Sequence, residues 1–226
     1  PLYSSAASDV YKRQIMPLKI NVPYSEKDLA KEKGAFWDKD NKTWFVPDYK
    51  DINLFSQWID TDKVSIIAKA PFWIGVTQKT CWKCGGMIDV IAFASNKFWI
   101  YEYSDDDEAL QEWYLQDYFS FFYMPGYIEK EILDIVCSRF PTFKLGFSKT
   151  VNGKYWANHC EHCNALQGDF FMHDEPGGEF SPIDMDGYKA ITLIEFPYKF
   201  DLPITASYSW ASNEKDVLRY CPKTQW

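Results

Sequence analysis

Four cysteines form two pairs of identical spacing, Cys81-Trp-Lys-Cys84 and Cys160-Glu-His-Cys163. Two residues between paired cysteines let one tight turn direct both sulfur atoms toward the same point. Two such pairs supply the four thiolates that a structural zinc ion takes in tetrahedral geometry. The spacing therefore predicts one zinc site with the ligands Cys81, Cys84, Cys160 and Cys163, and it favours a binding protein over an enzyme.

The residues after each pair support this interpretation. Gly85 follows the first pair and Asn164 follows the second, and both residue types tolerate the left-handed backbone that such a turn needs. The pairs resemble the knuckles of zinc-ribbon modules, a likeness that implies no function. The intervening segment, 85–159, is longer than the usual gap of about 10–20 residues, but loop-closure entropy grows slowly with length. Two unrelated thiol pairs or a redox dithiol remain alternatives.

All three histidines lie near the second pair. His159 and His162 are either surface residues beside a cysteine or replacements for one ligand. His173-Asp-Glu175 matches the H-x-E of zinc deaminases, but the cysteine pair that those enzymes need downstream is missing, which disfavours deamination. Asp169, His173 and Glu175 form a candidate polar pocket, and structural roles in turns and packing explain them equally well.

Composition limits the possible functions. The chain has 226 residues with 46% apolar and 19% aromatic residues, enough for one large or two small domains with a real core. A net charge of −8 argues against a general nucleic-acid binder, although a local basic face stays possible. The absence of a secretory leader or a long apolar run predicts a cytoplasmic protein with reduced thiols and no membrane contact.

Residues 1–15 differ from the rest of the chain. The string from Leu2 to Gln14 resembles the translated adapter sequence that contaminates metagenomic gene models. We therefore expect residues 1–15 to be artefactual or disordered and Met16 to be the true start.

Residues 16–60 have the pattern of a small α/β module. Alternation predicts a strand at 18–22, and Ser25 is the expected N-cap of a helix that ends at Gly34. A second strand is expected at 42–46 and a second short helix at 52–59.

This module resembles a small bacterial family of unknown function, marked by G-A-x-W-D and then K-x-W-[YF]-V-P. The matching residues are Gly34-Ala-Phe-Trp-Asp38 and Lys42-Thr-Trp-Phe-Val-Pro47. The family occurs in plasmid and phage primase-like proteins, and the module is also similar to the HARP-type domain of annealing helicases. Both resemblances imply association with nucleic-acid-handling proteins, and neither supplies a catalytic residue.

The module also contains a candidate binding surface. Trp37 and Trp44 flank a polar turn, with Lys39 and Lys42 beside them. An exposed ring there would stack on a nucleic-acid base. The alternative is that both rings fill the core of a small domain.

Residues 61–226 are predicted to be rich in strands, at 64–68, 72–76, 88–93, 97–103, 143–147, 155–156, 190–196 and 204–210. A helix is expected at 129–140, and 104–108 is expected to be an acidic turn or helix start. The predicted fold is therefore α+β: an α/β module at 16–60, then a β-rich zinc-ribbon-like domain at 61–226 with a helical insertion at 85–159.

These expectations lead to one main hypothesis and two alternatives. The sequence favours a non-catalytic accessory protein with structural Zn²⁺ that binds nucleic acid or a protein of DNA metabolism, without a small-molecule substrate. A protein–protein adaptor without nucleic-acid contact is the first alternative, favoured by the acidic charge. A zinc-dependent hydrolase or deaminase is the second.

Overall fold

The computed structural model describes residues 18–103, 110–209 and 214–226. The leader 1–15 and the acidic segment 104–108 lie outside these ranges. Within them the protein is a mixed α and β structure in which strands dominate and the five α-helices are short. None of the described helices has the length and apolar composition needed to cross a bilayer.

Residues 18–60 contain a three-stranded antiparallel sheet. Its strands are β1 (Leu18–Ile20), β2 (Phe36–Asp38) and β3 (Thr43–Val46), in the order β1-β3-β2. Helix α1, Lys27–Lys33, connects β1 to β2 and ends at Gly34, whose φ of 100° suits glycine. Leu18, Ile20 and Trp44 alternate along their strands and point into a buried core.

Two local details differ from the sequence-based expectations. Ser25 does not cap a helix, because Tyr24–Glu26 forms a separate 3₁₀ turn and α1 begins only after it. The second expected helix is a 3₁₀ helix, Ile52–Trp58, in which Asp51 accepts a backbone N–H at the N-terminus. The spacing of Ile52, Phe55 and Ile59 predicts one apolar face. Ile52 and Phe55 are buried, Ile59 is partly buried against the same core, and Trp58 is buried with them because a 3₁₀ helix repeats every three residues.

The larger element is a nine-stranded sheet. In chain order its strands are β4 (Ile66–Ala68), β5 (Trp73–Thr80), β6 (Met87–Ser95), β7 (Phe98–Tyr103), β8 (Gln111–Gln116), β9 (Ser120–Ile128), β12 (Thr192–Glu195), β13 (Leu202–Tyr208) and β14 (Lys223–Gln225). The spatial order is β14-β12-β5-β6-β9-β13-β4-β7-β8. All neighbouring strands are antiparallel except β12 and β14, which are parallel.

The remaining elements are a hairpin and four helices. They are α2 (Lys130–Arg139), β10 (Phe143–Ser148), β11 (Gly153–Asn158), α3 (Asp169–His173), α4 (Met185–Ala190) and α5 (Glu214–Tyr220). Strands β10 and β11 pair along six residues each and form a separate two-stranded sheet.

The segment between the cysteine pairs, 85–159, is mainly strand. Its described part contains β6 to β11 and one helix, α2, and four of those strands belong to the nine-stranded sheet. The expectation of a helical insertion therefore holds only for α2. Alternating β-branched and aromatic residues explain the difference, since they pair well in a buried sheet.

The N-terminal segment shares a core with the large sheet. Its buried residues pack in one cluster with Val64, with Ile67 of β4 and with Trp113 of β8. The Asn53 side chain also binds β8 directly: its amide donates to the Trp113 carbonyl at 3.1 Å and accepts from the Trp113 N–H at 2.8 Å. The boundary between a 16–60 module and a 61–226 domain remains a prediction.

Candidate metal centre

The structure brings the four predicted cysteines together. The Sγ atoms of Cys81, Cys84, Cys160 and Cys163 all lie within 4.8 Å of one another. Two of these distances join the pairs directly: 3.7 Å from Cys81 to Cys163 and 3.6 Å from Cys84 to Cys160. The tetrad is thus positioned to bind a metal ion.

The first cysteine turn, residues 81–86, is the connection of the β5–β6 hairpin. The two strands pair without interruption from Trp73 with Ala94 to Thr80 with Met87, so the turn has a rigid base. The Cys81 N–H donates to the Gly86 carbonyl at 2.8 Å, and the Gly85 N–H donates to the Cys81 carbonyl at 2.9 Å. Gly85 has a φ of 73°, the left-handed backbone that its sequence position predicts.

The second cysteine turn, residues 160–165, repeats this backbone pattern. The Cys160 N–H donates to the Ala165 carbonyl and the Asn164 N–H donates to the Cys160 carbonyl, both at 2.9 Å. Asn164 has a φ of 58°, so it takes the place of Gly85. An antiparallel bridge between His159 and Leu166 closes the turn. The two turns therefore have equivalent backbone hydrogen bonds, although their sequences differ at every position other than the cysteines.

A tetrahedral zinc ion fits these distances. Zn–S bonds of about 2.3 Å place the four sulfur atoms of a tetrahedron about 3.8 Å apart. The pairs that join the two turns, at 3.6 and 3.7 Å, are close to this value. Cys81 and Cys160 are buried, whereas Cys84 is exposed, so one side of the centre faces solvent.

The turn backbones also favour thiolates. Desolvation opposes ionisation of Cys81, but the N–H groups of Cys84 and Lys83, together with hydrogen bonds from the Cys160 and Cys84 thiols, lower the pKa of Cys81 to about 6. The Gly86 N–H acts in the same direction on Cys84, yet partial desolvation of the sulfur and hydrogen bonds with the three neighbouring thiols raise the pKa of Cys84 to about 12. Four thiols this close cannot all ionise easily unless a cation offsets their charge.

One buried side chain explains how the second turn returns to the first. Asn158, at the end of β11, accepts the Ile91 N–H and donates to the Ile91 carbonyl, both at 2.9 Å. It therefore binds β6 as a neighbouring strand would, two residues before Cys160. No pattern in the sequence predicts a role for Asn158. The local signal is an amide residue two positions after the predicted strand at 155–156 and two positions before Cys160.

The two histidines beside the second pair lie outside the tetrad. His159 is buried, its Nδ1 lies 2.9 Å from the Ala157 carbonyl, and burial lowers its pKa. His162 is exposed and its Nε2 lies 3.2 Å from the Met87 carbonyl. Neither nitrogen belongs to the group of side chains that can hold the metal.

The candidate polar pocket is divided. Asp169 and His173 are both buried in α3, whereas Glu175 is exposed. Asp169 accepts the Met124 N–H at 2.6 Å, and the His173 ring stacks between Tyr123 and Phe180. This placement gives Asp169 and His173 packing contacts and leaves Glu175 apart from them.

The N-terminal candidate surface is also divided. Trp37 is 45% exposed, and Lys39 and Lys42 are exposed in the turn beside it. Trp44 is buried in the core and meets the Trp37 ring edge-on, with ring centroids 5.7 Å apart. Of the two tryptophans, Trp37 alone presents substantial surface, and Trp44 supports it from below.

Comparisons with known proteins concern the N-terminal segment. Residues 18–60 match DUF5710, a domain of unknown function. Among curated proteins, the chain is 51% identical over 39 residues to "DNA primase TraC" of Escherichia coli. The aligned part is 17% of this chain and only 3% of that protein. No solved structure matches the chain.

The DUF5710 match confirms the predicted resemblance of residues 18–60 to a family of unknown function. The match to a DNA primase supports the predicted occurrence of this family in primase-like proteins. It covers a minor part of the chain, so the remaining residues, which contain the cysteine tetrad, are characterised by their geometry alone. The likenesses to zinc ribbons and to adapter sequence stay predictions.

Proposed function

We propose that this protein is a non-catalytic accessory protein of nucleic-acid metabolism with a structural zinc ion. The DUF5710 segment contacts nucleic acid or an enzyme that processes it, and a zinc-ribbon-like pair of turns holds the ion. The observation that carries the proposal is the 51% identity over 39 residues to a DNA primase. A cytoplasmic location is part of the same proposal.

The donor set supports a structural role for the metal. Four thiolates complete the tetrahedral shell of zinc and leave no position for a reacting water. Catalytic zinc sites keep such a position, usually with three protein ligands. The deaminase alternative loses further support because the buried His173 ring stacks between two aromatic rings and lies outside the tetrad.

The surface around Trp37 supports nucleic-acid contact. A half-exposed indole can stack on a base, and the exposed Lys39 and Lys42 can approach the adjacent phosphates. Stacking tolerates any base, so this surface suits single strands without strong sequence preference. The net charge of −8 confines the contact to this local surface.

The same acidic charge favours the second candidate, a protein–protein adaptor. An acidic protein that docks on a primase-like enzyme would need no phosphate contact of its own. Nucleic-acid binding measured directly distinguishes the two candidates.

The test is a salt titration with labelled single-stranded DNA and RNA, followed by fluorescence anisotropy, on protein of known zinc content. We expect binding at low salt that weakens as salt rises. Trp37→Ala should weaken it by about 5- to 100-fold, the cost of one lost stacking contact. Tyr103→Ala, which removes an exposed ring in β7, is the matched control and should bind normally. If the wild-type protein binds neither DNA nor RNA at low salt, nucleic-acid contact is refuted and the adaptor function is favoured.

A further inference from the structure

Two side chains connect the cysteine turns without touching a sulfur atom. Trp82 of the first turn donates its indole N–H to the Leu166 carbonyl at 2.8 Å. His162 of the second turn places Nε2 3.2 Å from the Met87 carbonyl. Leu166 and Met87 are equivalent residues, each directly following its own turn. The two hydrogen bonds therefore cross the centre reciprocally, one from each turn to the end of the other.

A third contact, made by a residue shortly after the second turn, reaches a thiol. The fully buried Gln167 amide lies 3.5 Å from Cys81 Sγ and also donates to the Ala165 carbonyl at 2.8 Å. One side chain thus links a sulfur atom of the first turn to the backbone of the second. An N–H···S contact of this kind stabilises a thiolate.

The His162 ring packs closely against the backbone of Gly86. A Cβ atom at Gly86 would lie 2.5 Å from the Cδ2 atom of the His162 ring. A ring can lie there only because residue 86 lacks a side chain. The glycine therefore has a steric role beside the metal centre, in addition to its N–H donated to Cys84.

We propose that Trp82, His162 and Gln167 are positioning residues that assemble the thiol tetrad before the metal binds. This inference rests on the proposed zinc site and adds how the site is built. The hydrogen bonds of Trp82 and His162 join the two turns through non-ligand atoms, and Gln167 adds a contact to Cys81 Sγ. The bases of the turns are fixed by the β5–β6 pairing and by Asn158. Zinc loading is then separate from folding, unlike in zinc fingers that are unfolded without metal.

The affinity test compares zinc binding by competition with a chelator of known affinity. We expect Trp82→Phe and His162→Ala each to weaken zinc binding by about 10- to 100-fold, the usual effect of losing a partner that orients metal ligands. His162→Gln, whose amide can still donate to the Met87 carbonyl, should restore most of the affinity. Trp99→Phe, the same aromatic exchange in β7, is the control and should bind zinc normally.

A further variant tests the position of the His162 ring without changing Trp82 or His162. Gly86→Ala leaves Trp82 and His162 intact but displaces the imidazole, so it should weaken zinc binding as His162→Ala does. Zinc affinities equal to wild type in Trp82→Phe, His162→Ala and Gly86→Ala would overturn the positioning role. Equal losses in His162→Ala and His162→Gln would also contradict it for His162.

The folding test uses the wild-type chain stripped of metal. Near-ultraviolet circular dichroism and hydrogen exchange of β5, β6 and β11 should remain close to those of the loaded protein. Loss of native structure on stripping would overturn the preassembled tetrad while leaving the zinc site in place. A wild-type chain that takes up no zinc would instead refute the proposed function.

Discussion

Two buried ionisable residues in α3 oppose each other in their response to pH. Asp169 and His173 lie one helical turn apart, and Asp169 Oδ1 and His173 Nδ1 have no hydrogen-bond partner among the described residues. Burial raises the pKa of Asp169 to about 7, against 3.8 for the ordinary side chain. Burial lowers the pKa of His173 to about 3, from 6.5. Both side chains are therefore mainly neutral in the folded protein near pH 6.

The effects of these two groups on stability have opposite signs. Unfolded Asp169 releases its proton near pH 3.8, so the free energy of unfolding falls as the pH rises from there toward 7. Unfolded His173 takes up a proton below pH 6.5, so the free energy of unfolding falls as the pH drops from there toward 3. Each slope is about 1.4 kcal/mol per pH unit, and the two cancel between about pH 4 and 6.5.

Single substitutions should reveal the cancelled slopes. Relative to wild type, His173→Phe should lose about 1.4 kcal/mol of unfolding free energy per unit as the pH rises from 4.5 to 6.5. Asp169→Asn should gain about the same amount per unit over that range. Urea unfolding at three pH values measures both, and a difference from wild type that does not change with pH contradicts the burial of that group.

The tetrad also gives a residue-scale prediction. Cys160→Ser should reduce bound zinc from about one ion per chain to nearly none, because a hydroxyl is a poor zinc ligand. Cys137→Ser is the matched control, since Cys137 lies outside the tetrad and donates to the Phe143 carbonyl at 3.3 Å, as a serine also can. Metal analysis after dialysis measures both. Retention of zinc by Cys160→Ser would exclude a shared four-cysteine site.

At the scale of elements, the β10–β11 hairpin depends on Asn158. Asn158→Ala would leave the Ile91 N–H and carbonyl buried without their present partner, which should cost about 2–5 kcal/mol. Zinc binding should weaken as well, because the second turn loses its attachment to β6. Asn21→Ala, an exposed asparagine, should change stability by less than about 0.5 kcal/mol. Urea unfolding and chelator competition test both effects.

The sequence predicted local backbone features better than contacts between residues far apart in the chain. The left-handed positions of Gly85 and Asn164 follow from residue type and spacing alone. Strand β9 was not predicted, because Pro125 and Gly126 interrupt the run. The structure accommodates them in an irregular part of the β9–β13 pairing, where the register shifts and Met124 has a φ of 49°. The contact of Asn158 with Ile91 spans 67 residues, and local sequence contains no information about such a pairing.

The site was likewise predictable only in part. The grouping of the four cysteines followed from the two C-x-x-C pairs, whereas the reciprocal contacts of Trp82 and His162 depend on how the turns face each other. The burial of Trp44 and the exposure of Trp37 could not be separated by alternation, because the core that covers Trp44 includes residues far along the chain.

At the scale of the whole molecule, buried charges join distant segments. Lys69, beside β4, lies between Asp48 of the N-terminal segment and the buried Asp201, which it contacts at 2.8 Å. Asp201 also accepts the Ala70 N–H at 3.1 Å. Together with the shared core, this ion group ties the DUF5710 segment to the large sheet.

Removal of the DUF5710 segment should therefore change the association state. A chain that starts at Thr61 would uncover Trp113 and the outer edge of β8, where Asn53 now occupies the backbone N–H and carbonyl. We expect oligomers or precipitate by light scattering, because unpaired strand edges recruit other chains. A monomeric truncated chain would show that the edge needs no cover.

The Asn53 side-chain amide thus makes the two backbone hydrogen bonds to Trp113 that a tenth strand would make. It completes the hydrogen bonding of Trp113 yet, as a single side chain, offers no further backbone along which another molecule could continue the sheet. A residue of the 3₁₀ helix therefore covers this position of the outer strand, where another chain could otherwise pair.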